Sequence, residues 1–416
     1  RSQGFERKRL DTVHRTESEG LKKIFAEVRS LLLPGRNSQI EQLLERVASE
    51  ISDSADEKGW TSRDIRPQDF GSSDLLLYRS RVEVLHSSQF WTVPHSVRLS
   101  GYGGHLPSWL ALCFYDFQAT SLDEPTFLEL WESRVEPRDI PEYGPDEAWR
   151  RLWRLAGDSD GIVDMRKLRK RLGQSRPPVD IATKEYGLPG AIIGTIHASK
   201  GREADRVTVM FPSNYKEDDP ETDAEEARVL FVGATRARKW LAVGKGMRSI
   251  GNRLESGRGY RWIKNAAMVE VGREGDLEPE GLVGQNVLKK GEALHGQEHL
   301  QEMVGHAEEL RLFADASQGW RFYISAVNDS LRIGLLEQNF NQDLWQILNM
   351  KSLADHMRPP MKVNHVKSLG CRTIVLPNDD PRLETLHAPW SKSGFMLAPC
   401  LVGMPPFYFA KRRSFQ

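Results

Sequence analysis

A chain of 416 residues with 39% hydrophobic side chains can fill two or three cores, so disorder is not the default and the chain reads as globular. Its 58 Lys and Arg balance 58 Asp and Glu, so no overall basic charge announces a nucleic acid, and any polyanion must be met by a local patch. The three cysteines, Cys113, Cys371 and Cys400, lie far apart with no CxxC pair, which argues against a disulfide framework and a zinc site and suits a reducing cytoplasm. No apolar run reaches the ~18 residues of a membrane span, and the opening RSQGFERKRL lacks the apolar core of a signal peptide, so no membrane is expected as a partner.

In chain order, residues 1–50 read as two helices broken at PGRNS, with Leu21, Ile24, Phe25 and Val28 on one face of the first and QIEQLLERVASEI as the second. SDSADEKGWTSRDIRPQDFGSS reads as a polar connection. DLLLYRS at 74–80 and HSVRLSG at 95–101 have strand length. Residues 105–184 change character: WLALCFYDF, FLELWESRV, EAWRRLWRLAG and VDMRKLRKRLG all show helical spacing, which predicts a helical insertion. Strands return at AIIGTI (191–196), RVTVMF (206–211) and KWLAVG (239–244), with an apolar helix from about Ala224 between the last two. Strands alternating with helix predict a mostly parallel sheet covered on both faces. Beyond residue 265, GEALHGQEHLQEMVGHAEELRLFA reads as helix, and WRFYISAV, LRIGLLEQ, CRTIVLP and FMLAPCLVGM read as strands of a separate α+β domain.

Two stretches carry chemistry. GTIHASKGREAD runs from an apolar strand into Thr195, His197, Ser199, Lys200 and Gly201, donors beside a glycine hinge, at the strand end where open α/β sheets hold their ligands. VLFVGATRARKWLAVG is apolar yet holds Arg236, Arg238 and Lys239. The plain structural reading places Glu225 and Glu226 in the first turn of a helix and the three cations in its last, as the helix dipole favours. It suits Arg238 and Lys239 better than Arg236, which stands among Gly233, Ala234 and Ala237, where a planar cationic fork suits a phosphate. In the insertion, Arg150, Arg151, Arg154, Arg166, Lys167, Arg169, Lys170 and Arg171 lie close to Trp149 and Trp153. That composition fits a phosphate backbone with stacked bases, or a solvated helix face over a tryptophan core.

In this order the pieces resemble the second RecA-like domain of superfamily 1 DNA helicases of the UvrD/Rep/PcrA kind. TIHASKGREAD is similar to motif V, EEARVLFVGATRAR to motif VI, VHRTESEGL to motif IV, and DLLLYRSRVEVL to the strand followed by an L-x-R pattern. The likeness covers about residues 10–110 and 185–250. It implies that Arg236 and Arg15 reach the γ-phosphate of ATP as catalytic groups, and that Glu203 and Gly201 belong to the same nucleotide site. It also implies that His197, Thr195 and Lys200 line a single-stranded DNA track. Arg202 stands where the family has an apolar residue, and Phe231 where Tyr is common; neither carries an assigned role.

The sequence contains no GxxxxGK[ST] loop, and no Walker B carboxylate pair precedes Arg15. With no Met at its start, the chain is expected to be the C-terminal part of a longer helicase, or else to meet an N-terminal RecA-like domain on another subunit that supplies the site for Mg²⁺. The expected domains are 1–104 and 185–264 for the two parts of the RecA-like domain, 105–184 for a 2B-like insertion that adds Arg166, Lys167, Arg169 and Lys170 to DNA binding, and 265–416 for an α+β domain of unassigned role, open to binding a protein partner, DNA binding or autoinhibition. The expected activity is ATP-dependent translocation on DNA, 3′ to 5′, with no catalysis by this chain alone. The alternative is a non-catalytic helicase-like scaffold that brings its C-terminal domain to a partner.

Overall fold

The computed structural model of the chain describes residues 16–33, 42–61, 64–100, 103–136, 143–212, 220–247, 251–326 and 331–411. The chain divides into two compact units, each built from two stretches: Arg1–Val84 with Gly190–Ile250, and Leu85–Pro189 with Gly251–Gln416.

The first unit begins with a helical run, Glu19–Lys23, Ile24–Val28 and Arg29–Leu31, whose middle part has the wider i→i+5 bonding. The Ser18 side chain caps it by accepting the Leu21 N–H. Helix α1 (Leu43–Ser54) buries Leu43, Leu44, Val47 and Ile51, a stripe at helical spacing. Strand β1 (Glu57–Thr61) lies inside the stretch that reads as a polar connection. It is the edge of the sheet and only Trp60 is partly covered, so no apolar alternation marks it. Strands β2 (Leu75–Tyr78), β3 (Ala191–Thr195), β4 (Ala204–Phe211) and β5 (Ala237–Lys245), with helix α2 (Pro220–Ala234) between the last two, complete the unit. All five strands run parallel in the order β1-β5-β4-β2-β3.

Alternation along the strands sends Leu75, Leu77, Ile192, Val207, Val209, Leu241 and Val243 to one face, where they form one core with the first helical run, α1 and α2. Leu76, Tyr78, Ile193 and Met210, which point the other way, are buried as well, so the strands are covered on both faces. This is the RecA-like α/β arrangement expected from the motif order. Gly233 marks the closest approach of α2 to the sheet, since a Cβ there would meet Val209 at 3.3 Å and Ile196 at 3.4 Å.

In the second unit the four expected helices are present as Trp109–Phe114, Glu124–Arg134, Pro145–Ala156 and Met165–Leu172. They form two helix–loop–helix pairs joined by a short antiparallel ladder, Ser121↔Asp164 and Leu122↔Val163. Asp123 and Asp164 cap the helices that follow the ladder. The sequence sets 105–184 apart from the region after 265, but in the structure both share one core, with Phe114 packed on Phe395 at 5.3 Å between ring centroids. The candidate strand His95–Arg98 pairs antiparallel with Tyr186–Gly187 in this second unit.

The largest sheet of the second unit is antiparallel, in the order Arg332–Leu335, Arg321–Ala326, Ala307–Asp315, Lys362–Val375, Phe395–Val402. Ala307–Asp315 falls where the sequence predicts the tail of a helix. The helix Lys290–Met303 stops before Gly305, whose φ of 76° is left-handed, and the chain leaves that turn extended. The unit also holds a buried cation, Arg258, just before the strand Gly259–Ile263 of a smaller four-stranded sheet: it donates to both carboxylate oxygens of Asp276 at 2.9 and 2.7 Å, to Asp343 at 2.5 Å and to the carbonyl of Glu270 at 2.8 Å.

Candidate functional site

The sequence-predicted residues of the first unit separate into two groups at opposite ends of the sheet. Thr195 is the last residue of β3, level with Tyr78 of β2 and, through Tyr78, with Met210 of β4. It is buried, and its Oγ1 accepts the Ala198 N–H at 3.3 Å, which shapes the short 3₁₀ turn His197–Ser199. Ser199 closes that turn by donating to the Ile196 carbonyl at 2.7 Å. His197 and Lys200 are thereby left exposed on the turn. Gly201 follows with φ of 84°, and since a Cβ there would meet nothing within 4 Å, the glycine serves the backbone angle rather than space.

Arg79, one residue past β2, joins this end. Its Nε lies 3.0 and 2.7 Å from the two carboxylate oxygens of Glu226 on α2, and an Nη donates to the same group. That bond raises the Arg79 pKa above its ordinary value. Burial lowers the pKa of His197, and the Arg79 charge lowers it further, against the pull of Glu226 and Glu225. His197 thus stands near a locked ion pair at the carboxyl end of the strands.

From Thr195 the chain crosses to the opposite end, because Ala204 pairs with Ala237 while Met210 pairs with Gly244. Six residues of strand separate these levels, roughly 20 Å. At this amino end Glu203 and Arg236 are both half-buried and adjacent, the Ala204 N–H donating to the Arg236 carbonyl at 3.1 Å. Helix α2 stops at Ala234, so Arg236 stands on the connection to β5 rather than in a last helical turn. Its Nε donates to the Val232 carbonyl at 2.9 Å and one Nη to Thr235 Oγ1 at 3.2 Å, so the fork is held by the helix end behind it. Arg238 and Lys239 lie on β5 and pair with Asp205 at 2.8 and 2.6 Å. That carboxylate, not the helix dipole, answers their charge. Close packing accounts for the small residues here: a Cβ at Gly233 would press on Val209 and Ile196, and Ala234 is fully buried. Arg15 lies outside the described residues.

The cations of the insertion belong to the second unit and do not form one face. Arg166, Lys167 and Lys170 are exposed on the helix Met165–Leu172. Arg169 on the same helix is buried, with Nε donating to the Leu376 carbonyl at 3.1 Å and Nη1 to that of Lys392 at 2.9 Å, which removes it from any surface a phosphate could reach. Arg150, Arg151 and Arg154 all converge on Glu147, at 3.5, 3.0 and 3.4 Å. Trp149 is stacked on Phe127 in the core, whereas Trp153 is 44% exposed.

The Arg79–Glu226 pair escaped the sequence reading as a site element. Its signal was present in the L-x-R pattern after β2 and in the second acidic residue of EEAR, which only the fold brings together. Among the described residues, no group of three His, Cys, Asp or Glu side chains could hold a metal ion, and no helix is long and apolar enough to cross a membrane.

A five-stranded parallel sheet with polar loops at both strand ends defines the first unit as RecA-like. Residues 190–243, which run from β3 through α2 into β5, match the family model of the UvrD-like helicase C-terminal domain, so the chain carries a UvrD-like helicase C-terminal portion. No curated protein and no solved structure matches the chain.

Proposed function

We propose that this chain is the motor-completing half of an ATP-dependent DNA helicase or translocase, moving 3′ to 5′ on single-stranded or partly duplex DNA. The observation that carries the reading is the separation of the motif residues in the first unit. Glu203 and the braced Arg236 stand at one end of the sheet, and Thr195, His197 and Lys200 at the other, as a motor with distinct nucleotide and nucleic-acid faces requires. The match to a UvrD-like helicase C-terminal domain supports the same reading.

The residues suit a nucleotide. Arg236 is a permanent cation whose orientation is fixed by Val232 and Thr235 before any ligand arrives, and Glu203 beside it can accept a ribose hydroxyl. ATP with Mg²⁺, the latter held by an N-terminal RecA-like domain in the same polypeptide or another subunit, supplies a phosphoryl group for transfer to water. Arg236, with Arg15, stabilises the charge that develops on that group. At the other end of the sheet, the turn that follows Thr195 presents His197 and Lys200 to the DNA strand, and Gly201, which the resemblance groups with the nucleotide site, falls on this turn instead. The exposed Arg166, Lys167 and Lys170 of the second unit add phosphate contacts. Because the phosphate-binding loop is absent from this sequence, the isolated chain turns over no ATP.

The test is Arg236→Ala in the complete motor. DNA-stimulated ATPase falls by roughly 10³ to 10⁵, through kcat more than KM, with the melting curve unchanged. Arg236→Lys restores little, because a point charge does not reproduce the fork. A variant that melts several degrees early yet turns over normally once folded would assign Arg236 to the helix end alone. A duplex with a 3′ or a 5′ tail reads the polarity.

A further inference from the structure

In the first unit one packing contact joins the two groups of motif residues, and neither the motor reading nor the family match assigns it a role. The Arg236 fork hangs on the last turn of α2: besides the bonds from its side chain to Val232 and Thr235, its own N–H donates to the Gly233 carbonyl at 3.1 Å. Gly233 thus lies at the centre of the cradle that aims the guanidinium. Behind it stands the side chain of Ile196, the residue between Thr195 and His197. A Cβ on Gly233 would be 3.4 Å from both Cγ1 and Cδ1 of Ile196 and 3.3 Å from Val209, tighter than ordinary van der Waals contact. Ile196 and Val209 are wholly buried, so the contact has no slack.

On its other side Ile196 is anchored by the turn it opens. Its carbonyl accepts both the Ser199 hydroxyl at 2.7 Å and the Ser199 N–H at 3.2 Å, and its own N–H donates to the Tyr78 carbonyl at 2.9 Å. Its backbone therefore moves with the turn that carries His197, while its side chain is a stop for the end of α2. The Arg79 fork grips the same continuous helix at Glu226, two turns before Gly233 and about 10 Å away along the axis. A helix held at both points has a fixed last turn. A catalytic fork needs that, because misplacing a catalytic group by about 1 Å costs roughly 10²-fold in rate.

We infer that Ile196 and Gly233 are positioning residues for Arg236: the Ile196 side chain, wedged against the last turn of α2, sets the direction of the guanidinium, and a ligand on the His197 turn shifts it through that contact. The inference rests on the motor reading for what Arg236 and His197 touch.

The experiment follows the Nε–H resonance of Arg236 in the full chain, assigned with Arg236→Lys, as oligothymidine is added and its binding is read by fluorescence anisotropy. The resonance is expected to move along the binding curve. Gly233→Ala, whose methyl forces the helix end and Ile196 apart, and Ile196→Val, which removes Cδ1, are expected to displace it before any DNA is present and to halve its DNA-induced movement, with DNA affinity changed less than twofold. If the added methyl prevents folding, Ile196→Val alone carries the reading. In the complete motor Gly233→Ala lowers kcat by roughly tenfold or more and Ile196→Val severalfold, while KM for ATP hardly changes. Ile192→Val, which deletes the same carbon from the same core, is the control and leaves the resonance and kcat in place. An Arg236 resonance that Gly233→Ala and Ile196→Val leave where it was overturns the proposal, and so does a loss of turnover that Ile192→Val matches or that lies in KM alone. Oligothymidine that binds without moving Arg236 breaks the link to the His197 turn and overturns it as well. A chain that binds no oligothymidine refutes the DNA track of the motor reading instead, and the DNA-free displacement then decides the packing claim by itself.

Discussion

In the first unit, Arg236, Lys200, Arg238 and Lys239 stand at the ends and margins of a parallel sheet whose interior is hydrocarbon. In the second unit, Arg258, Arg169, His95 and His105 are taken inside. A cation at a sheet end keeps access to water and can exchange its partner for a ligand. One buried among carbonyls and carboxylates is committed to the fold, because removing any partner strands a charge or a dipole. An arginine kept at the sheet end, such as Arg236, is therefore expected to answer to the proposed function, and one taken inside, such as Arg258, to stability.

The sharpest test of that contrast in the second unit is Arg258→Ala. It leaves Asp276 and Asp343 buried with no guanidinium between them and should cost about 3–5 kcal/mol. Chemical denaturation reads this, and an unchanged midpoint would dissolve the distinction between the units. Next in size is the pair of experiments on the helix Met165–Leu172. Arg169→Ala removes the donor to two carbonyls and should cost about 2–3 kcal/mol without altering the salt dependence of DNA binding. Neutralising Arg166, Lys167 and Lys170 together should flatten the salt slope by about 3 and leave the melting temperature in place. If Arg169→Ala alone flattens the slope, the buried arginine reaches DNA after all.

A smaller effect is expected with pH. His95 donates from Nδ1 to the Val93 carbonyl at 2.9 Å and accepts from the Ser88 hydroxyl at 2.8 Å, and burial lowers its pKa to about 4. His105, stacked on Tyr186, is lowered by burial to about 3. Both folded values lie below the unfolded value of 6.5, so the stability they confer is complete above pH 6.5 and is lost as pH falls toward 4. Glu337, raised by burial and by Glu278 to about 7, acts with the opposite sign, and its share fades as pH rises from 4.5 to 7. Two histidines outweigh one carboxyl. Amide exchange, corrected for its intrinsic rate, should therefore show the second unit losing protection first as pH drops from 6.5 to 4.5. Loss in the first unit ahead of it would place the acid-labile groups elsewhere.

How much of this was legible in the sequence follows from the kind of signal each element leaves. Buried parallel strands such as β2 and β3 are short apolar runs, and the insertion helices carry strong 3.6-residue periodicity, so both were readable. Strand β1 was not, because an exposed edge strand has no alternation, and Ala307–Asp315 was hidden by its place behind a helix. At the candidate site, motif letters gave the residues but not their partners. The spacing did place Arg169 with Met165, Leu168 and Leu172 at i, i+3, i+4 and i+7 on the inner face, and Arg166, Lys167 and Lys170 off it, but the cations were read as one basic cluster and that helical face was not used to divide them. The Arg79–Glu226 pair depends on residues far apart in the chain, which local pattern does not connect.

The strand order has a consequence for how the protein comes into being. β2 lies between β3 and β4, yet about 110 residues of the second unit separate Tyr78 from Ala191. At a synthesis rate of roughly 5–20 residues per second, LLLY leaves the ribosome many seconds before either neighbour exists, with both of its hydrogen-bonding edges bare. Closing the parallel sheet waits for β5 near residue 245, a non-local assembly of the slow kind. For that interval the nascent chain offers a short, fully apolar strand to any passing edge, and a cell making this protein has reason to keep a holdase close to the exit tunnel.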